Sequence, residues 1–286
     1  FLHIDARSLG LFRLLFGLVL ISDLLHRWDW IRAFYSNDGV IPNHFHLFQL
    51  GETEKIWSVY HAFSSVDEAT AAFSLTFLIY LCFTLGYRTR VFHVLSLVCL
   101  VSLTGRNILL ESTSSSLATV MLGMSLFLPL GLRFSIDSLR LSMKARDERT
   151  PAELNERSDS KPTAPSSLAA LMMILLLGFV SLAAALAQSG ASWQDGTALY
   201  YALHTDRWTG LLGELERNSL PASALALCTR AFRYAEFAVP VLLLFPVARR
   251  FTRGLAVGAM LLIGLTVGLL FTMGPYGWAF AAAAAL

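Results

Sequence analysis

Charge is what this sequence has least of. Asp, Glu, Lys and Arg together make up 15% of its 286 residues, against about 25% in an ordinary soluble domain. A chain so poor in charge cannot cover itself with a water-soluble surface. The net charge of +2 is too small to point to a nucleic-acid partner, and no zinc-finger spacing is present. Cysteine is scarce too: Cys82, Cys99 and Cys228. An odd number with no Cys-x-x-Cys gives no disulfide framework, so the three read as small apolar packing residues. There is no phosphate-binding Gly-x-x-x-x-Gly-Lys loop, no dinucleotide Gly-x-Gly-x-x-Gly and no Gly-x-Ser-x-Gly nucleophile turn.

Apolar residues are what the sequence has in excess. They make up 55% of the chain, and mean hydropathy is +0.58. A membrane span needs roughly 17–25 mostly apolar residues. Seven runs qualify: 9–25, 70–86, 91–110, 116–132, 167–188, 231–248 and 254–273, and Trp278–Leu286 reads as the start of an eighth. Backbone polar groups have no water partner in lipid, so such runs must be helices. Barrel strands would alternate apolar and polar residues, and these runs do not. The expected fold is all-α: a polytopic transmembrane helix bundle of seven to eight spans, with residues 1–286 as one domain. No small-residue cleavage site ends the first run, so it reads as a permanent anchor and not a signal peptide. No internal repeat is visible, which argues against an inverted-repeat transporter.

Three long loops connect the spans. Residues 26–69 and 189–230 are aromatic and amphipathic, with Trp28, Trp30, Tyr35, Trp57 and Tyr60 in one and Trp193, Tyr200, Tyr201 and Trp208 in the other. They fit short helices lying in the membrane interface or folded over the bundle. Residues 133–166 are basic, then rich in Pro and Ser, and read as a flexible loop. With seven spans, 13 of the 22 lysines and arginines fall on the side of the N-terminus and seven on the other. The positive-inside rule then places the N-terminus in the cytoplasm, of a bacterial inner membrane if the host is bacterial. Five of the seven histidines (His26, His44, His46, His61 and His204) fall on the outer side, where site chemistry is expected.

Several polar residues interrupt the apolar pattern. Arg13 sits near the start of the first span, and Asp23 lies ten residues on, about 15 Å along a helix. Arg106 closes the third span with Asn107 and Glu111 nearby, and Arg233 and Glu236 share a face of the sixth. A charge in the membrane core costs about 2.5–3.5 kcal/mol on insertion scales, so each needs a partner or a polar cavity. Arg13 with Glu236, and Asp23 with Arg106, are candidate pairs. The alternative is a polar site that holds a headgroup, a quinone or a substrate carboxylate. His44-x-His46 has a weak metal-ligand spacing and reads first as surface loop. Asp195, His204 and Asp206 with Ser189 or Ser192 would need to converge in space to act as a nucleophile set. In the seventh span, Gly254–Gly258 and Gly264–Gly268 are Gly-x-x-x-Gly pairs that permit close helix packing.

Five stretches, in order, resemble one family. They are Asp5-Ala-Arg-Ser-Leu-Gly-Leu-Phe-Arg13-Leu-Leu-Phe-Gly17 with Ser22-Asp23 and Arg27; Leu85-Gly-Tyr-Arg-Thr-Arg90; Gly105-Arg-Asn107; Phe127-Leu-Pro-Leu-Gly-Leu-Arg-Phe-Ser-Ile-Asp137; and Trp193-Gln-Asp-Gly-Thr-Ala-Leu-Tyr200. Together they resemble the HTTM family, the membrane domain shared with vitamin K-dependent gamma-carboxylase. The resemblance implies a helix bundle with an outward-facing cavity. In the carboxylase, a lysine just before the Trp-x-x-Gly segment deprotonates vitamin K hydroquinone. Aligning on Trp193 and Gly196 puts Gln188 at that position, and a neutral amide is no general base near neutral pH. The sequence also ends before the large lumenal region that binds the carboxylase's protein substrate. Gamma-carboxylation is therefore not expected of this chain.

These features favour a non-enzymatic membrane module: a structural or interaction subunit of a membrane assembly, or a scaffold that holds a lipid or quinone. An enzyme acting on a quinone or lipid at the outer face is the alternative, with His204, Asp195 and Glu236 as candidate catalytic groups. Transport is the third class. Arg13, Asp23, Arg106, Gln188, Trp193, Arg233 and Glu236 are the candidate ligand-binding residues.

Overall fold

The structure is a computed structural model that describes residues 5–48, 57–107, 109, 113–147, 168–206, 208–245, 248–272 and 274–286. Among these the regular structure is helical. The helices are α1 (Ala6–Trp28), α2 (Ile31–Phe34), α3 (Asn43–Phe48), α4 (Val66–Leu85), α5 (Thr89–Gly105), α6 (Thr113–Ser125), α7 (Ile136–Asp147), α8 (Leu168–Ala187), α9 (Ala191–Gln194), α10 (Ala198–Leu203), α11 (Leu211–Ser219), α12 (Ala222–Leu244), α13 (Arg249–Leu270) and α14 (Tyr276–Ala283). Four segments are long and apolar enough to cross a membrane: α1, α4, α8 and Phe251–Leu270 of α13. The all-helical membrane class expected from the sequence is borne out at that level.

The chain divides into two compact units, Phe1–Ala170 and Leu171–Leu286. In the first, α1 packs on α4, α4 on α5 and α5 on α6. Helix α1 buries Leu9, Phe12, Arg13, Phe16, Leu20 and Leu24, which recur every three or four residues and form one face. Its other face carries exposed Leu11, Leu15, Leu18 and Leu25. A helix apolar on its exposed face as well is built for lipid. Gly17 lets α4 approach closely: a Cβ there would lie 2.2 Å from Thr84 Oγ1. Helix α4 begins in a reciprocal capping box between Ser65 and Glu68 and ends at Gly86 in the left-handed conformation, φ 72°.

The first aromatic loop folds onto this unit. Tyr35 and Tyr60 stand edge-on to Phe73 of α4, at 4.8 and 5.5 Å between ring centroids, and Trp28 joins at 5.9 Å. Edge-to-face contacts at this range are favourable for aromatic pairs. Short helices over the bundle were the expectation for this loop, and α2 and a turn of 3-10 helix at Val59–Ala62 supply them.

In the second unit α12 packs on α13, and α13 turns back on itself through α14. Gly264 and Gly268 permit that hairpin. A Cβ on Gly264 would meet Gly277 O at 2.6 Å, and one on Gly268 would meet the Trp278 ring at 2.8 Å. The other small-residue pair, Gly254 and Gly258, faces open space. The second aromatic loop packs through Leu199 and Leu203 against Leu225, Leu270 and Phe271.

Helix limits differ from the apolar runs in three places. Helix α5 stops at Gly105, short of residue 110, and the Asn107 side chain then accepts the Leu109 amide at 3.0 Å. Helix α6 ends at Ser125 instead of 132, because Pro129 offers no amide proton and the chain turns through residues 126–135. Helix α12 starts at Ala222, nine residues before the run at 231–248. It carries Arg230, Arg233 and Glu236 within seven residues, a denser cluster of charge than in the apolar stretches of the other four. The basic loop opens with a regular helix, α7, and residues 148–166 of that loop lie outside the described residues.

Candidate functional site

Each unit carries a buried polar cluster. In the first, Asp23 accepts from Arg27 Nε at 2.8 Å, one helical turn apart on α1. Arg27 also donates to the Tyr35 hydroxyl at 3.1 Å and to Ser115 Oγ at 3.4 Å, and Tyr35 in turn donates to Leu103 O at 3.3 Å. Burial pushes the Tyr35 phenol above its ordinary range, against the pull of Arg27. The expected Asp23–Arg106 pair is not formed. Arg27 lies four residues from Asp23, a spacing at which helical side chains meet, and takes that carboxylate.

Arg106 is thereby left without a counter-charge among the described residues. It is 0% exposed. One nitrogen, Nη1, donates to Ile41 O at 3.2 Å. Its Nε and Nη2, and Nδ2 of the neighbouring Asn107, have no hydrogen-bond partner among the described residues. Buried donors are almost always paired in native proteins, and leaving one unpaired costs about 1–3 kcal/mol. Two consecutive buried residues thus carry three open donors and a positive charge among the described residues.

Arg13 plays a different part. Also 0% exposed, it donates through Nη1 to Leu130 O at 3.0 Å and through Nη2 to Phe134 O at 2.5 Å. It ties α1 to the loop after α6. The sequence offered Glu236 as its partner; its hydrogen bonds go to backbone carbonyls instead. The same loop is held by Asp137, which accepts from Arg88 N, Thr89 N and Thr89 Oγ1 at 2.7–2.9 Å. Burial would raise the Asp137 carboxyl, but those hydrogen bonds outweigh it and hold the group below the ordinary aspartate range.

In the second unit, Gln188 Nε2 donates to Glu236 Oε2. Glu236 is 4% exposed, and Gln188 Oε1 is buried with no partner. Arg233 lies three residues before Glu236 but forms no ion pair with it among the described residues. The two residues singled out independently, one for its place before Trp193 and one for its charge within a helix, are therefore hydrogen-bonded to each other. Trp193 is half-buried beside this turn.

The remaining candidates stand apart. His204 is exposed, stacked on Tyr200 at 4.1 Å, with Nδ1 against Tyr200 O at 2.8 Å. Asp195 is exposed, and Asp206 pairs with Arg217 at 2.8 Å. No described hydrogen bond joins His204 to Asp195, Asp206, Ser189 or Ser192, so the nucleophile arrangement does not assemble. His44 is exposed against Phe48, and the His46 side chain lies outside the described residues. Among those residues no group of three metal-ligating side chains converges. Reading the sequence missed the roles of Arg27, Tyr35 and Asp137. Of these, Arg27 announces itself by its four-residue spacing from Asp23.

Set against known proteins, the chain matches no family model, and no curated protein or solved structure is significantly similar to it.

Proposed function

We propose that this chain is an integral membrane, HTTM-like module that holds a quinone or lipid without carboxylating anything. In this reading the bundle has seven to eight spans, with α5, α6 and α12 crossing beside the four apolar helices, and the N-terminus faces the cytoplasm. The observation that carries it is the open donor set of Arg106 and Asn107. A quinone carbonyl or a phosphate oxygen would accept from Arg106 Nε and Nη2 and from Asn107 Nδ2, donors without a partner among the described residues. Both residues are buried, where such bonds gain most. Gln188 in place of a basic residue supports holding over chemistry. Exposed Trp57, Tyr201 and Trp208 on the two aromatic loops would suit contact with other membrane subunits.

The test is extraction of the purified protein with organic solvent and mass spectrometry of the extract. About one quinone or lipid per chain more in the wild type than in Arg106→Met is the expected result. A wild-type protein with none overturns the reading.

A second reading, an enzyme on the same class of ligand, draws on Glu236: a buried carboxyl with a single described hydrogen-bond donor is a candidate acid or base. It requires that Glu236→Gln keep the ligand while losing turnover.

A further inference from the structure

At the opposite end of α5, about 25 Å from Arg106 along a 17-residue helix, the first unit carries a second feature of different chemistry. A cavity of about 650 Å³ opens between Leu14, Leu85, Leu132 and Leu139, with Arg133 and Ser138 at its polar edge. A neighbouring one of about 630 Å³ is lined by Arg88, Arg90, Val91 and Pro129. Arg133 lines the first cavity and Arg88 and Arg90 the second, Arg140 is exposed on α7 next to Leu139, and no described hydrogen bond or ion pair occupies these four side chains. Arg140 lies over the Tyr87 ring at 4.8 Å. The carboxylate among them in the described residues, Asp137, accepts from the α5 N-terminus and also feels the charge of Arg140. Beside the arginines, Phe134, Leu139, Leu141 and Met143 expose their side chains.

The rim is rigidly built. Arg13 and Asp137 hold the loop, and Ser135 and Ser138 bond each other reciprocally. Gly10 brings α1 against it, since a Cβ there would lie 2.7 Å from Arg133 O. An apolar slot topped by cations on a fixed frame matches a molecule with an acyl chain and an anionic head.

We propose that this rim binds an anionic phospholipid, its phosphate held by Arg133 and Arg140 and an acyl chain lying along Leu14, Leu85 and Leu139. Charge complementarity selects the occupant: four exposed arginines stand against one described carboxylate that already accepts from the α5 N-terminus, next to exposed apolar side chains. Each arginine near an anionic lipid surface contributes about fivefold in binding. The site is separate from the Arg106 cluster and stands or falls independently of it.

The test is native mass spectrometry of the whole chain released from nanodiscs containing equal phosphatidylglycerol and phosphatidylcholine with identical acyl chains. Phosphatidylglycerol adducts are expected to outlast phosphatidylcholine adducts under collisional activation. The double variant Arg133→Gln/Arg140→Gln should lose that preference about 25-fold, and Leu139→Gln should weaken retention while leaving the preference. Arg217→Gln, a surface arginine of the second unit, should change neither. Equal retention of the two lipids, or an unchanged preference in the double variant, overturns the proposal. So does inorganic phosphate binding the detergent-solubilised protein and displacing phosphatidylglycerol, which would make the site one for a free anion.

Discussion

Replacing Arg106 by Met separates a structural arginine from a ligand-holding one. Met has similar length, fits an apolar site and carries no donor. In the ligand-free protein the wild-type arginine gains one charge-assisted hydrogen bond to Ile41 O, worth about 1.5–3 kcal/mol. Against this stand two buried donors without partners, each costing about 1–3 kcal/mol, and the desolvation of an unpaired charge. These terms cancel or favour Met. Arg106→Met, stripped of lipid, is therefore expected to match or exceed the wild type in stability. With ligand bound the balance reverses. Two new charge-assisted bonds at about 1.5–3 kcal/mol each stabilise the wild type alone, so the variant should lose about 100-fold or more in ligand affinity. The assay is denaturant unfolding in mixed micelles, with and without added native lipid extract. A stripped variant destabilised by about 3 kcal/mol or more would refute the reasoning, because only a fully paired buried arginine leaves that deficit behind. Equal stabilisation of both proteins by the extract would refute it from the other side.

Other residues test the frame that presents these clusters. Gln188→Leu removes the described donor to buried Glu236 and should cost about 1–3 kcal/mol; the same unfolding assay reads it, and the double variant Gln188→Leu/Glu236→Leu should recover most of the loss. Gly17→Ala places a Cβ against Thr84 and should cost about 1–3 kcal/mol by overpacking, with Thr84→Gly restoring much of it in a double-mutant cycle. Asp137, held below the ordinary aspartate range in the folded state, contributes stability that is complete above the unfolded pKa of about 3.9 and is lost as pH falls through the lower folded value. Wild type should therefore exceed Asp137→Asn at pH 6, and the two should converge below about pH 4 in a pH series of unfolding curves; a constant gap would remove Asp137 as the capping anion.

Hydrophobic run length reads the fold class directly, because a lipid-facing helix is apolar on both its buried and its exposed sides. Helix α1 shows this with Leu9, Phe12 and Phe16 inside and Leu11, Leu15 and Leu18 outside. Run length reads helix ends poorly for the same reason: Leu126, Leu128, Leu130 and Leu132 are as apolar as a helix, yet Pro129 and turn hydrogen bonds take them out of one. Hydropathy also says nothing of α7, whose mixture of Leu139, Met143 and Arg140 looks like loop until its helical turn sorts the charges from the apolar side chains.

The candidate site was legible one residue at a time but not in its pairings. A charge inside an apolar run is conspicuous, so Arg13, Asp23, Arg106 and Glu236 could all be picked out. Which charge meets which depends on packing, with one exception: the local rule that residues four apart on a helix are neighbours. That rule gives Asp23 to Arg27. Once Asp23 is taken, Arg106 has no described carboxylate to turn to, and its identity changes from one half of an ion pair to an unfilled set of donors. Arg13 shows the other outcome for the same kind of residue. Its guanidinium finds carbonyls freed where α6 ends and the chain turns, and it becomes a rivet. Two buried arginines equally anomalous in sequence thus separate by the acceptors their surroundings supply: among the described residues Arg13 leaves one donor open and Arg106 two, and the proposed ligand is assigned to the second.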